Sequence, residues 1–439
     1  MRIPGPAHQE DGGLSAVADA GGLHRYQVRL HDAYGPVVRF QLPGADAVVS
    51  ICDPVLLEAV AHLDERPPGL FAFLDPLCEA GNLQVLGAEE HTPWRRVLLS
   101  VLAGRPAHER HFAGFTEQAV LLADRLAAQP EGEPIELQQE LAALSLRMIC
   151  GFALGGADAG TDADRVVAAF EEVLTEHLGR LYRVPRTDPR SAARADEALA
   201  YLRAAVDRAV AAHRAGERAG PGDLIGALAE AGESPARIRD TVMVTLLAAH
   251  HTTGVAVSWT LHLLGRHPEA ADRVGAELDR VLGGRAAPDY GDLRRLTYLD
   301  MVLKESMRLF PPGPYGAREA TSDLAVGPYT IPAGTAVFLP IRAVHLNAAY
   351  WPDPERFDPG RFAPGAAAGR PRLAHIPFGF GPRGCEGAAL ATVEARLVLA
   401  VLLARLRFSP APGHEVTPVE RFVLWARDGI RMTVRPRGR

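Results

Sequence analysis

"HIPFGFGPRGCEGAALATVEARL", residues 375–397, decides how this chain is read. Glycines at 379, 381, 384 and 387 surround one cysteine, Cys385, and an Ala/Leu-rich helical pattern follows at once. Glycines let the backbone turn several N–H groups towards one atom and let a flat ligand come close. A cysteine just ahead of a helix is biased towards thiolate by the unpaired amides and the helix dipole. Arg383, two residues earlier, adds positive charge. A thiolate held this way is a strong soft ligand for iron. The competing reading is a small buried hydrophobe in a turn. That is the default for Cys52, Cys78 and Cys150, which show no CxxC pairing.

Outward from this segment, the 439 residues suit one large domain or two to three small ones. Hydrophobic residues make up 47% and charged residues 23%, with a formal net charge of −6. A core is therefore well supplied, and there is no basic bias to suggest nucleic acid. The start, "MRIPGPAHQEDGG", has no basic region followed by an apolar one, so neither a signal peptide nor a membrane anchor is expected. The longest apolar run, about 241–264, is broken by polar residues and reads as a buried helix rather than a membrane span. A cytoplasmic chain with free thiols is the expectation.

Residues 35–52 alternate and carry turn residues, so they predict a hairpin; from 54 to about 290 the period is helical. Residues 324–341 read as a second hairpin-like region, and 416–435 as a further pair of strands. The fold class expected is mainly α with a small β region built from both ends of the chain. That favours one interlocked domain over 1–439, with 1–24 extended or poorly ordered.

Three other stretches carry chemistry. In "LDMVLKESMRLFPPGPYGAREA", 299–320, Glu305 and Arg308 stand at i and i+3 and can meet on one helix face. In "EEHTPWRRVL", 89–98, His91 and Arg95 share a face at i and i+4. In "LLAAHHTTGV", 246–255, two histidines and two threonines interrupt an apolar helix. Successive helical residues point about 100° apart, so His250 and His251 are not expected to face the same way.

The first segment resembles the cytochrome P450 signature, Phe-x-x-Gly-x-Arg-x-Cys-x-Gly. It is met by Phe378, Gly381, Arg383, Cys385 and Gly387, with Gly379, Leu390, Ala391 and Glu394 as further matches. Glu386 departs from it, because an apolar residue is usual there. The resemblance runs from about residue 25 to 435. It implies a triangular single haem domain, haem b ligated by Cys385, and a loop in which Phe378, Gly379 and Gly387 pack on that group. It also implies that His91, Arg95, Arg318 and Arg383 hold the propionates, and that Glu305, Arg308 and Arg356 form a structural triad.

"LLAAHHTTGV" resembles the family's long-helix motif with two changes. Ala249 stands for a glycine, and His251 for an acid. The resemblance gives Thr252 the hydrogen bond on the oxygen side of the haem and His251 a part in proton delivery. His250 is expected to pack against a neighbouring helix. The substrate pocket implied comprises Phe71, Phe73, Leu74, Thr245, Ala248, Ala249, the 313–317 turn, Phe422 and Val423. The activity implied is monooxygenation of a lipophilic small molecule with O2 in bacterial secondary metabolism. No flavin or iron–sulfur motif is visible, so electrons are expected from a separate ferredoxin and ferredoxin reductase docking near Arg95 and Arg96. Two alternatives stand beside this: a haem-thiolate enzyme driven by peroxide or performing dehydration or isomerisation, and a non-catalytic haem sensor or carrier.

Overall fold

The apolar run at 241–264 becomes the middle of a helix of 32 residues, Pro235–Arg266. Ser234 caps it by accepting from the Arg237 N–H, and Pro235 fills the first turn, where a missing N–H costs nothing. The helix is buried nearly all round, which marks a core element. In the computed structural model, residues 1–154, 165–166, 168–173, 175–177, 188–216, 223–421 and 423–438 are described.

The longer helices are α1 (Leu14–Ala20), α2 (Leu23–Tyr34), α3 (Ala88–Leu102), α4 (Arg105–Ala127), α5 (Leu137–Leu154), α6 (Ser191–Arg214), α7 (Leu224–Glu230), α8 (Pro235–Arg266), α9 (Pro268–Leu282), α10 (Thr297–Leu309) and α11 (Ala388–Arg405). A further helical stretch covers 168–173. The closest crossing is α5 over α8. A Cβ on Gly254 would lie 2.7 Å from the backbone of Leu141 and Ala142, so only glycine permits it. Beside the crossing, Ser145 Oγ donates to the Ala249 carbonyl at 2.8 Å.

The strands are β1 (Val37–Leu42), β2 (Ala45–Ile51), β3 (Ile135–Glu136), β4 (Gly316–Glu319), β5 (Leu324–Val326), β6 (Tyr329–Ile331), β7 (Ala336–Leu339), β8 (Leu406–Pro410), β9 (Pro418–Arg421), β10 (Val423–Ala426) and β11 (Arg431–Pro436). One sheet has the order β1-β2-β7-β4, another β3-β11-β8, and β5-β6 and β9-β10 are separate pairs. The mainly α class with β built from both chain ends is as expected. Within 324–341, however, only β5 and β6 form the hairpin; β7 leaves it and pairs in parallel with β2, Val48 opposite Ala336. All four β7 residues are buried, so the strand needs cover on both faces, which a two-stranded hairpin cannot give. Residues 1–24 are not simply extended. They hold α1, and the Pro4 carbonyl accepts from the Arg39 N–H at 2.8 Å.

Candidate active site

The cysteine loop is built by its glycines. Gly379 and Gly381 adopt φ of 66° and 68°, in the left-handed region. A Cβ on Gly381 would also sit 2.2 Å from the Ala61 carbonyl oxygen. The turn they allow brings the Cys385 N–H to the Phe378 carbonyl at 2.8 Å. The backbone N–H groups of Gly387 and Ala388 then donate to the Cys385 sulfur. Gly387 is the N-cap of α11, so the sulfur lies at a helix start, as expected. The expected thiolate bias is outweighed in the free protein. Burial, and then the charge of Glu386, push the thiol up to about 11, although Arg95 and the two amides oppose them. The residue is nevertheless accessible, so its surroundings are a cleft enclosed by protein rather than packed core. A metal at the sulfur would displace the proton outright.

Around this loop lies a cluster of arginines with one histidine. His91 is buried, with Nδ1 3.0 Å from Asp64 Oδ1. Arg95 donates to the Gly384 carbonyl at 2.6 Å and pairs with Glu386. Arg383 Nε is 2.6 Å from Asp64 Oδ1. Arg318 is buried and donates to the Ala317 and Phe380 carbonyls. Arg66 joins them, bonded to Gln84 and lying 4.9 Å from the Phe71 ring centroid. Burial, then repulsion from neighbouring guanidinium groups, holds Arg318 down to about 9; the same two effects hold Arg66 down to about 10. Asp64, Glu65 and Glu386 oppose four guanidinium groups and an imidazole, so the cluster favours an anionic ligand. Two carboxylates beside a soft iron centre match this donor set, and the residues present fit a haem.

The other wall is α8. Between Asp240 and Leu264 four residues break its burial: Thr245, Ala248, Ala249 and Thr252. They fall at i, i+3, i+4 and i+7, a single stripe; Thr245, Ala248 and Ala249 were expected in the pocket wall, and Thr252 on the oxygen side of the haem. Thr252 Oγ1 donates to the Ala248 carbonyl at 2.8 Å. One position further on, Thr253 Oγ1 is 3.5 Å from Glu394 of α11, the helix that starts behind Cys385.

The family model for Cytochrome P450 matches residues 4–434. The chain belongs to the cytochrome P450 family. Cyclooctat-9-en-7-ol 5-monooxygenase from Streptomyces melanosporofaciens is 33% identical over 402 residues, covering 87% of this chain and 84% of that protein. Cyclooctatin synthase from the same organism is 34% identical over 320 residues, covering 69% of this chain and 68% of that protein. Cytochrome P450 714D1 from Oryza sativa subsp. japonica is 39% identical over 199 residues, covering 44% of this chain and 34% of that protein. The chain is thus an oxidoreductase of a haem-iron monooxygenase family. Among the described residues, no helix is long and apolar enough to cross a membrane.

As in the expected triad, Glu305 and Arg308 are fully buried and joined by two bonds of 2.7 and 2.8 Å. The third member is not Arg356. The side chain of Arg356 is 63% exposed and pairs with Asp358. Arg361 closes the triad instead, its Nε 3.3 Å from Glu305 Oε1. "PERFDPGRF" offers two arginines five residues apart. The second sits on a short helix, Pro359–Phe362, with a buried side chain, whereas the first ends a surface turn. Arg356 contributes only its carbonyl, which accepts from Arg308 at 3.3 Å.

Of the remaining wall residues, Phe71 and Phe73 are partly buried against the main core. Leu74 and Val423 are 5% and 1% exposed, packed into the core behind any cleft surface. Phe422 lies outside the described residues. Phe378 is partly buried against the same core.

His250 and His251 do not diverge. Their rings stack at 3.9 Å, 18° from parallel. His250 meets Phe170 edge-on at 6.1 Å, the packing against a neighbouring helical stretch that was expected, and His251 meets Trp425 at 5.1 Å. Burial holds His251 down to about 4, and burial with the neighbouring His251 holds His250 well below the usual imidazole range, so both are neutral at pH 7. Arg66, Asp64, Glu171 and Trp425 escaped the sequence reading. None stands in a motif, and each reaches its cluster from a distant element. A separate cleft of about 740 Å³, lined by residues including Val28, His31, Asp53 and Asn347, shares no residue with this site.

Proposed function

We propose that the chain binds haem b through Cys385 and monooxygenates a lipophilic small molecule, with electrons from a separate ferredoxin and ferredoxin reductase. The observation that carries this reading is the accessible stripe Thr245, Ala248, Ala249 and Thr252 on an otherwise buried middle stretch of the helix. Its side chains are small and uncharged, two of them methyl groups and two hydroxyls, which suits a hydrocarbon skeleton with few polar groups. The Streptomyces relative named as a monooxygenase of cyclooctat-9-en-7-ol supports that class, and a terpenoid fits it.

Cys385 would hold the iron, with the Gly387 and Ala388 amides donating to the sulfur. Arg66, Arg95, Arg318, Arg383 and His91 would hold the two propionates. The haem, when bound, supplies O2 activation: two electrons and two protons split O2, one oxygen enters a C–H or C=C bond and the other leaves as water. The protein's part is to position the substrate and to move protons. Thr252 reaches the cleft by turning its hydroxyl away from the Ala248 carbonyl. His251 takes a proton at Nε2 from the Glu171 side, 3.7 Å away, and releases one at Nδ1, which has no partner in the protein. Arg96, exposed on α3, is the free cation for an acidic ferredoxin, since Arg95 turns inward to Glu386.

The test is the spectrum of the reduced, CO-bound protein. A red-shifted Soret band lost in Cys385→Ser is expected, and a haem-loaded wild-type protein without that band would refute the ligation. His251→Phe should keep the band while peroxide release rises and coupled product falls. Unchanged coupling would return His251 to a packing role. Because His251 stands where the family has an acid, a second reading, peroxide-driven oxidation, is kept. Product formed from peroxide alone, with none from NADPH and the redox partners, would favour it.

A further inference from the structure

Glu171, His250 and His251 form a second constellation, apart from the cysteine loop. The Nε2 atoms of His250 and His251 lie 3.6 and 3.7 Å from the same Glu171 oxygen, and the three ligand atoms are all within 4.8 Å of one another. These separations are too long for hydrogen bonds. The two His–Glu separations are slightly longer than the edges of a coordination tetrahedron, and binding would turn the stacked rings about Cβ–Cγ so that both lone pairs meet at one point. With metal–nitrogen and metal–oxygen bonds of about 2.0–2.1 Å, neighbouring ligand atoms stand about 3.3–3.4 Å apart.

A second observation points to a ligand. The His250 side chain is fully buried, and among the described residues neither of its ring nitrogens has a hydrogen-bond partner; His251 Nδ1 has none there either. Buried polar atoms left this way are costly unless something bonds them. Both rings are neutral near pH 7, so a nitrogen lone pair is free for an ion. The Glu171 side chain is half exposed, which gives an ion a way in. Arg421 is the charged group that competes for this carboxylate, and Phe170 and Trp425 make the remaining walls apolar. Two imidazoles and one carboxylate suit zinc, copper or nickel and disfavour the hard cations calcium and magnesium.

We propose that Glu171, His250 and His251 bind a divalent transition ion of the zinc class, with a fourth position open to water. The ion would clasp the helical stretch 168–173 to α8, one residue from Thr252. It would also occupy both Nε2 atoms, so His251 could no longer accept a proton there. Zinc is then an inhibitor of turnover as well as a clasp.

The test uses haem-loaded protein treated with chelator, dialysed against zinc chloride and assayed for bound zinc by elemental analysis. One zinc per chain is expected, with binding at least tenfold weaker in Glu171→Gln and in His250→Gln. Glu171 is half exposed, so its variant keeps the fold, and a normal thiolate–CO band verifies this. Zinc should also raise the melting temperature of the wild type but not of Glu171→Gln. Zinc bound equally by wild type and both variants, or no zinc bound at millimolar concentration, overturns the site. Metal content does not depend on turnover, so these results are independent of the proposed reaction.

Discussion

The Glu305 cluster and the His250–His251 cluster are opposite in their hydrogen bonding. At Glu305, Arg308 and Arg361 the carboxylate accepts two hydrogen bonds from Arg308 and one from the Asp358 N–H, and it forms an ion pair with Arg361 at 3.3 Å. Arg308 also donates to the carbonyls of His345 and Pro354. Among the described residues, His250 and His251 approach Glu171 no closer than 3.6 Å, beyond hydrogen-bond distance. The first cluster is complete within the chain. The second is complete only with something added, and the contrast separates a scaffold from a site. A closed network resists loss of any member, whereas an open one tolerates it.

The largest expected effect falls on the closed cluster. Glu305→Ala leaves two buried guanidinium groups unpaired and should cost about 3–5 kcal/mol in chemical denaturation. Arg361→Ala should cost less, about 1–3 kcal/mol, and Arg356→Ala no more than about 0.5 kcal/mol. Equal losses for Arg356 and Arg361 would restore the triad read from the motif. Next comes acid. His31, His251 and His262 are held to about 4 and His375 to about 3, all chiefly by burial. Each is neutral when folded and protonates near 6.5 when unfolded. Their contribution is full above pH 6.5 and disappears as pH falls through 4. A melting curve flat across that interval would contradict their burial.

Glu394 has the opposite sign. Burial raises it to about 8 from 4.5, against the weaker pull of Thr253. Its protonated form is favoured by folding, so stability is highest below pH 4.5 and declines as pH rises towards 8. Glu394→Gln should remove that decline and leave the variant more stable than the wild type at pH 8. The smallest effect should be at the open cluster: without zinc, His250→Phe should lie between neutral and about 1 kcal/mol stabilising, since it removes two unbonded nitrogens. A loss as large as that of Glu305→Ala would show that the second cluster is scaffold too.

What the sequence made legible follows the same division. The cysteine loop could be read because its chemistry is local. Gly379, Gly381 and Cys385 set their own geometry within seven residues, and the loop forms as the spacing implies. The stripe from Thr245 to Thr252 could be read because one helix supplies it. The triad was read to within five residues and missed, because two arginines in "PERFDPGRF" fit the spacing and only packing on α10 selects Arg361. Glu171 and Trp425 could not be read, since each meets the histidines across more than seventy positions of chain, and Arg66 reaches the Arg383 carbonyl across 317. The stacking of His250 on His251 was also hidden. Adjacent helical residues diverge at Cβ, and only Phe170 and Trp425, closing from two sides, press the rings together.

Glu420 holds the backbone N–H groups of Leu23 and His24, the latter 396 positions away, at 2.7 and 2.6 Å. On the ribosome this clasp cannot close until Glu420 emerges. At about 5–20 residues per second, that is roughly 20–80 s after the first helices appear. For the greater part of that interval β2 also waits for β7 with one edge bare. A nascent chain in this condition is a substrate for chaperones and for its own neighbours. The yield of haem-loaded enzyme in a producing cell is therefore set by how long that edge goes uncovered, as well as by haem supply.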